Sequence, residues 1–123
     1  MISIIDDDRS VREAVKCLIR SIGYDAVTFA SAEEYLESKS VHDTECVITD
    51  LQMPGMTGID LHRHLIDAGH AIPTILLTAY VDDRSRKFDE RVICYLRKPV
   101  DETRLLQCLR AALRSGGPPE ENS

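Results

Sequence analysis

The sequence predicts an α/β fold, an open doubly wound domain with a five-stranded parallel sheet and helices flanking both faces. Three observations predict it. Short β-rich runs alternate with helix-spaced segments along the chain, the pattern of repeated strand–helix units. The runs Cys46-Val47-Ile48 and Ile75-Leu76-Leu77 are continuously apolar rather than alternating, as strands covered on both faces must be. Polar or charged residues close four of the five runs, where open α/β sheets bind their ligands.

Ile2, Ile4 and Ile5 make the first strand, which ends at Asp6. Ser10 and Glu13 have the spacing of a capping box, and Val11, Ala14, Val15, Leu18, Ile19 and Ile22 then recur at helical spacing up to Gly23, which can end a helix at positive φ. Ala26 to Phe29 is the second strand. A second capping box, Ser31 with Glu34, opens a helix with Tyr35 and Leu36 inward. Cys46 to Thr49 leads into Asp50 as the third strand. Gly58 to Ala68 is the third helix, with Leu61 and Leu65 as its core pair. Ile72 to Leu77 and Val92 to Leu96 are the fourth and fifth strands. A last helix covers Asp101 to Arg114, with Leu105, Leu109, Ala112 and Leu113 on one face. Between the fourth and fifth strands, Asp82 to Arg91 is mostly charged, with Phe88 its main apolar residue; the fourth helix is expected to be short or irregular.

The chain has 123 residues, enough for one domain with its own core. Residues 1–114 are expected to form that domain, and 115–123, rich in Gly, Pro and Glu, a disordered tail or the start of an interdomain linker. No run approaches the roughly 20 apolar residues of a membrane span, and three aspartates follow directly on the first strand, unlike a secretory signal. The expected location is the cytoplasm, without membrane association. Cys17, Cys46, Cys94 and Cys108 form no C-x-x-C pair and read as small buried hydrophobes, ahead of disulfides or a metal site. His42, His62, His64 and His70 lack i,i+4 spacing and read as solvated surface residues. A net charge of −6 makes direct nucleic-acid binding by this domain a poor fit. Basic residues from Arg84 to Arg114 are a solvated helix surface by default and a contact face in the sharper reading.

In the flavodoxin-like strand order 2-1-3-4-5, the first and third strands are neighbours, so Asp6, Asp7 and Asp50 share one crevice, with Thr78 and Lys98 on the same rim. Three carboxylates so close either retain a proton or hold a cation. An all-oxygen, water-accessible set suits a hard ion such as Mg²⁺. Asp8 reads as a helix cap or a solvated loop residue.

The segments I-I-D-D-D-R-S-V-R-E, T-D-L-Q-M-P-G-M-T-G, L-L-T-A and Y-L-R-K-P, in that order, resemble the receiver domains of bacterial two-component response regulators. The resemblance spans Ile2 to about Arg114 and is closest to N-terminal receivers attached to helix-turn-helix output domains. It implies Asp50 as phosphoacceptor, and Asp6, Asp7, Asp50 and the Gln52 backbone carbonyl as Mg²⁺ ligands. It further implies Lys98 as partner of the phosphoryl oxygens, Thr78 as the hydroxyl that turns toward the phosphoryl group, Tyr95 as the aromatic switch partner, and a cis Lys98-Pro99 bond. Gln52 and Tyr80 lie where side chains tune phosphate lifetime.

The implied function is a phosphorylation-dependent switch rather than a turnover enzyme. It would take phosphate from a sensor histidine kinase and alter the surface formed by the fourth helix, fifth strand and last helix. Implied partners are that kinase, a C-terminal helix-turn-helix output domain in a longer protein, and a second copy in a phosphorylation-dependent homodimer. Phe88-Asp89-Glu90-Arg91 departs from the A-G-A-like turn usual before the fifth strand, and Val100 stands where an aromatic is common. Two alternatives remain. Asp6-x-Asp8 faintly imitates the aspartyl-nucleophile phosphatases of the haloacid-dehalogenase type, and a receiver-like interaction module need not be phosphorylated.

Overall fold

The computed structural model describes residues 1–79 and 92–116. Its elements are β1 (Ile2–Ile5), α1 (Arg9–Ser21), β2 (Ala26–Phe29), α2 (Ala32–Glu37), a short 3₁₀ helix (Lys39–Asp43), β3 (Cys46–Asp50), α3 (Gly58–Asp67), β4 (Thr74–Thr78), β5 (Val92–Arg97) and α4 (Glu102–Gly116). The strands form one sheet in the order β2-β1-β3-β4-β5, every pair parallel, as the sequence predicts. The last helix runs to Gly116, two residues into the tail expected to begin at 115; the rest of that tail, 117–123, and the short or irregular helix expected within 82–91 lie outside the described residues.

The two faces carry separate cores, which is the physical content of double winding. Ile4, Ile48, Ile75, Leu77 and Leu96 pack with Val15 and Ile19 of α1 and Leu105, Leu109 and Ala112 of α4. On the opposite face, Ile5, Phe29 and Val47 pack with Tyr35 of α2 and Leu61 and Leu65 of α3. Every residue of β1, β3 and β4 is buried, which explains the continuously apolar runs Cys46-Val47-Ile48 and Ile75-Leu76-Leu77. Removing each such Ile or Leu from water stabilises the fold by about 1.5–3 kcal/mol.

Local chemistry corrects several boundaries. The cap of α1 is Asp8, not Ser10: its carboxylate accepts from the Ser10 and Val11 N–H groups, at 2.8 and 3.4 Å. A carboxylate two residues earlier starts the helix at Arg9, and Ser10 falls inside it. At the other end Gly23, at φ 101°, donates to the Arg20 carbonyl and stops the helix as expected. Ser31 caps α2 by accepting from Glu34 N, but the Glu34 carboxylate reaches back to Ala30 N rather than Ser31 N. A reciprocal capping box does form at Thr57 and Asp60, opening α3. β4 begins at Thr74 rather than Ile72, because Pro73 between them has no N–H for the ladder.

Two side-chain expectations are overturned. His62 is 1% exposed and bonds the Thr74 hydroxyl through Nδ1 at 3.0 Å; it follows Leu61 on the inward face of α3 and is not solvated. Cys94 of β5 and Cys108 of α4 are joined as a disulfide, and Cys17 is exposed; Cys46 alone is the fully buried thiol that was expected. The pair meets because α4 lies along β5 within one core cluster, an adjacency that sequence spacing does not display.

Candidate functional site

Strand register builds the site. Ile5 pairs with Thr49, Asp50 with Leu77, and Thr78 with Arg97, so the carboxyl ends of four strands reach one rim. The residues that step off those ends are Asp6, Asp7 and Lys98, while Asp50 and Thr78 close β3 and β4. The ends are tied by backbone bonds: Asp6 N to Phe29 O at 3.1 Å, Leu51 N to Leu77 O at 2.7 Å and Lys98 N to Thr78 O at 2.8 Å. The Lys98-Pro99 bond is cis, as the resemblance implies.

The Lys98 ammonium bridges two carboxylates, 3.1 Å from Asp6 Oδ2 and 3.2 Å from Asp50 Oδ2. Asp6 is fully buried, and Asp50 and Thr78 are each 7% exposed. Burial pushes the Asp6 carboxyl above its usual range, and the Asp50 charge adds to that; the Asp8 N–H and the Lys98 ammonium pull it partway back. Burial alone would lower the Lys98 pKa, but the Asp6 and Asp50 carboxylates outweigh it and hold the ammonium above its ordinary value.

Among the described residues, Asp6, Asp7 and Asp50 form the group of three potential metal ligands whose donor atoms lie within 4.8 Å of one another. The donors are carboxylate oxygens, the set a hard divalent cation prefers. Asp6 Oδ2 is buried and, among the described residues, receives no hydrogen bond, only the ion pair with Lys98. That acceptor capacity fits a cation. Gln52 is exposed beside the cluster, and its N–H donates to Asp50 Oδ1 at 3.3 Å. Tyr95 is half-buried on β5, opposite Leu76. Tyr80 lies outside the described residues. Asp8 is not a member of the cluster; it caps α1.

Three positioning residues escape sequence reading. Arg12 donates from Nη1 to the Asp6 backbone carbonyl at 2.8 Å, pinning the end of β1. Glu33 of α2 accepts from Met56 N at 3.1 Å and steadies the loop that leaves β3. Gly58 starts α3 directly against the backbone carbonyl of Asp50, where any Cβ would overlap that oxygen and meet Leu76 Cδ2 at 3.0 Å. Nothing in local spacing signals the first two. The third is a glycine at a helix start, which reads equally well as a simple turn residue.

Comparison with known proteins agrees with this geometry. Residues 2–110 match the response regulator receiver domain. Response regulator protein TodT of Pseudomonas putida is 35% identical over 116 residues, which cover 93% of this chain and 51% of TodT. The structure of response regulator StyR superposes with a TM-score of 0.82 at 34% identity, over 94% of this chain and 59% of that one. Vibrio cholerae chemotaxis protein CheY4 shares the fold, with a TM-score of 0.82 at 24% identity over 91% of this chain and 97% of its own. The chain spans about half the length of TodT. Among the described residues, no helix is long and apolar enough to cross a membrane. A parallel sheet of this order, an acidic cluster at its carboxyl edge and a sequence match over nearly the whole chain agree: the protein belongs to the response regulator receiver domain family.

Proposed function

We propose that this receiver domain is a phosphorylation-dependent switch whose phosphoacceptor is Asp50. The observation that carries the reading is the placement of Asp50 Oδ2 at 3.2 Å from Lys98 Nζ, within the same cluster as Asp6 and Asp7. A carboxylate oxygen of Asp50 attacks the phosphorus of a phosphohistidine on a sensor histidine kinase. The P–N bond breaks as the P–O bond forms, and the departing imidazole nitrogen takes a proton from solvent. Lys98 turns from bridging two carboxylates to pairing with the equatorial phosphoryl oxygens, where charge gathers. Asp6, Asp7, Asp50 and the Gln52 carbonyl would hold Mg²⁺, which when bound neutralises phosphoryl charge. The Thr78 hydroxyl then bonds the phosphoryl group. Its movement opens space for Tyr95, biasing a surface that includes β5 and α4.

A helix-turn-helix output domain in a longer protein, a phosphorylation-dependent homodimer and a cytoplasmic setting belong to the same proposal. Gln52 and Tyr80 are its candidates for tuning phosphate lifetime. The domain performs self-phosphorylation and self-dephosphorylation rather than turnover. A phosphatase reading would enlist Asp8 as the second carboxylate, yet Asp8 spends its side chain capping α1. The test is intact-protein mass spectrometry after incubation with acetyl phosphate. One Mg²⁺-dependent phosphoryl adduct in wild type, absent in Asp50→Asn and lost with time, is expected. No adduct, or one that persists in the variant, sinks the proposal.

A further inference from the structure

We propose that Cys94 and Cys108 are a redox modification site: a reversible thiol–disulfide couple that reacts with small-molecule disulfides of the glutathione class and, when oxidised, ties β5 to α4. The two residues stand 14 apart in sequence on different elements, with Cα atoms 6.0 Å apart, inside the usual span of a disulfide. Cys108 belongs to the core cluster that includes Leu96, Leu105 and Leu109, and Cys94, partly buried, packs against that cluster. The other two of the four cysteines are poor competitors. Burial pushes the Cys46 thiol up to about 12 and hides it completely, while Cys17 stands exposed on α1 with no cysteine partner among the described residues.

The domain does not need a covalent staple. It has two hydrophobic cores of its own, whereas disulfides are obligatory mainly where a small secreted domain lacks a sufficient core. In a reducing compartment such a pair rests as dithiol and closes when the glutathione pool turns oxidising. Cys94 is half-buried and Cys108 is 7% exposed, so Cys94 meets the external reagent. Its thiolate attacks one sulfur of oxidised glutathione, forming a mixed disulfide and releasing one reduced glutathione. The Cys108 thiolate then attacks the Cys94 sulfur and releases the second. Two thiol protons and two electrons leave the protein, and one S–S bond replaces another.

The consequence rests on the switch reading given above. Cys94 immediately precedes Tyr95 on β5, and the strand runs on to Lys98, whose ammonium holds Asp6 and Asp50. A bond from β5 to α4 restrains that strand against the helix, so a rearrangement driven from Asp50 meets more resistance in the oxidised form.

The whole chain should be equilibrated in buffers of graded reduced-to-oxidised glutathione ratio, acid-quenched, alkylated and peptide-mapped. Wild type is expected to gain and lose the Cys94–Cys108 peptide pair reversibly with the ratio, and Cys108→Ser to stop at a glutathione adduct on Cys94. This titration needs no substitution to be informative. Free thiols at every ratio, or a bond that persists in fully reducing buffer, would overturn the proposal. Acetyl phosphate labelling of both redox forms is the second arm. A smaller adduct fraction in oxidised than in reduced wild type, with no difference in Cys108→Ser, is expected. Equal labelling while the disulfide forms would refute the regulatory half. No labelling in either form would instead refute the phosphorylation reading and leave the redox couple standing.

Discussion

Lys98→Met isolates the charge balance on which the site depends. Methionine keeps most of the stem volume and removes the ammonium that sits 3.1 Å from Asp6 Oδ2 and 3.2 Å from Asp50 Oδ2. Each of those contacts is worth about 5 kcal/mol at an effective dielectric constant of about 20 and about 1.3 kcal/mol in water. The Lys98 side chain is 22% exposed and that of Asp6 is fully buried, which places the contacts toward the lower-dielectric figure. The two contacts then sum to about 10 kcal/mol, most of which offsets the desolvation of the lysine and the two carboxylates. A net loss of about 2 kcal/mol is expected at neutral pH in chelator, a fall of roughly 6–12 °C in melting temperature for a domain of this size. The deficit is electrostatic, so a cation among the carboxylates, or a proton on Asp6, whose proton affinity burial raises, should reduce it. Calorimetry with and without Mg²⁺, and again at mildly acid pH, should show the gap between variant and wild type narrowing under both treatments. An unchanged melting temperature in chelator, or a gap that neither Mg²⁺ nor acid reduces, would refute the reasoning.

Gly58→Ala should cost about 1–3 kcal/mol, the range for overpacking a tight site, because the added methyl meets the Asp50 carbonyl and Leu76; denaturant unfolding reads the loss, and Asp50 labelling should slow with it. Thr74→Val removes the buried hydroxyl that bonds both His62 Nδ1 and the Ile72 carbonyl and should cost about 1–3 kcal/mol in the same unfolding assay; unchanged stability would refute a stabilising role for that hydroxyl. Burial raises the Asp6 carboxyl above 3.8, so the folded state binds that proton more tightly and stability falls as pH rises from 3.8 through the raised value. Asp6→Asn should flatten that limb of a stability–pH profile. Lys98 is held above 10.5, so its contribution is fully present below that pH and disappears as pH climbs through the raised value; the alkaline limb should be shallower in Lys98→Met.

The sheet and its acidic edge were legible because the signals that specify them are redundant. Continuous apolar runs mark β3 and β4 as covered on both faces, and the acids at the ends of β1 and β3 converge once those strands are neighbours. Single-position features were less legible. Asp8 and Ser10 are both good caps, and only the turn after β1 decides that the carboxylate wins. His62 lies between Leu61 and Leu65 on α3, and helical spacing could have drawn it inward, but its polarity argued for solvent until Thr74 supplied a buried partner. The meeting of Cys94 and Cys108 depends on how α4 docks on β5, which no local pattern encodes. Arg12, Glu33 and Gly58 support the site through backbone atoms, and a contact with a backbone carbonyl or N–H leaves no trace in side-chain spacing.

The same strand register that makes the site also makes it costly. β1 and β3 are adjacent and fully buried, so their next residues, Asp6 and Asp50, emerge close together with little water to screen them. Among the described residues, one lysine across the rim offsets part of the repulsion, which leaves the described part of the site short of positive charge. A fold selected for stability alone would place an apolar or neutral residue at one of those ends, since replacing paired buried charges by packed apolar groups is often neutral or stabilising. Here Ile5, Ile48, Leu77 and Leu96 lie just beneath the charged ends and hold them rigidly. On the proposed reading, the repulsion would ease with a cation, with a proton on Asp6, or with phosphorylation of Asp50. In the proposed switch, Asp50 would act on β4 and β5, the two neighbouring strands that carry Thr78 and Tyr95.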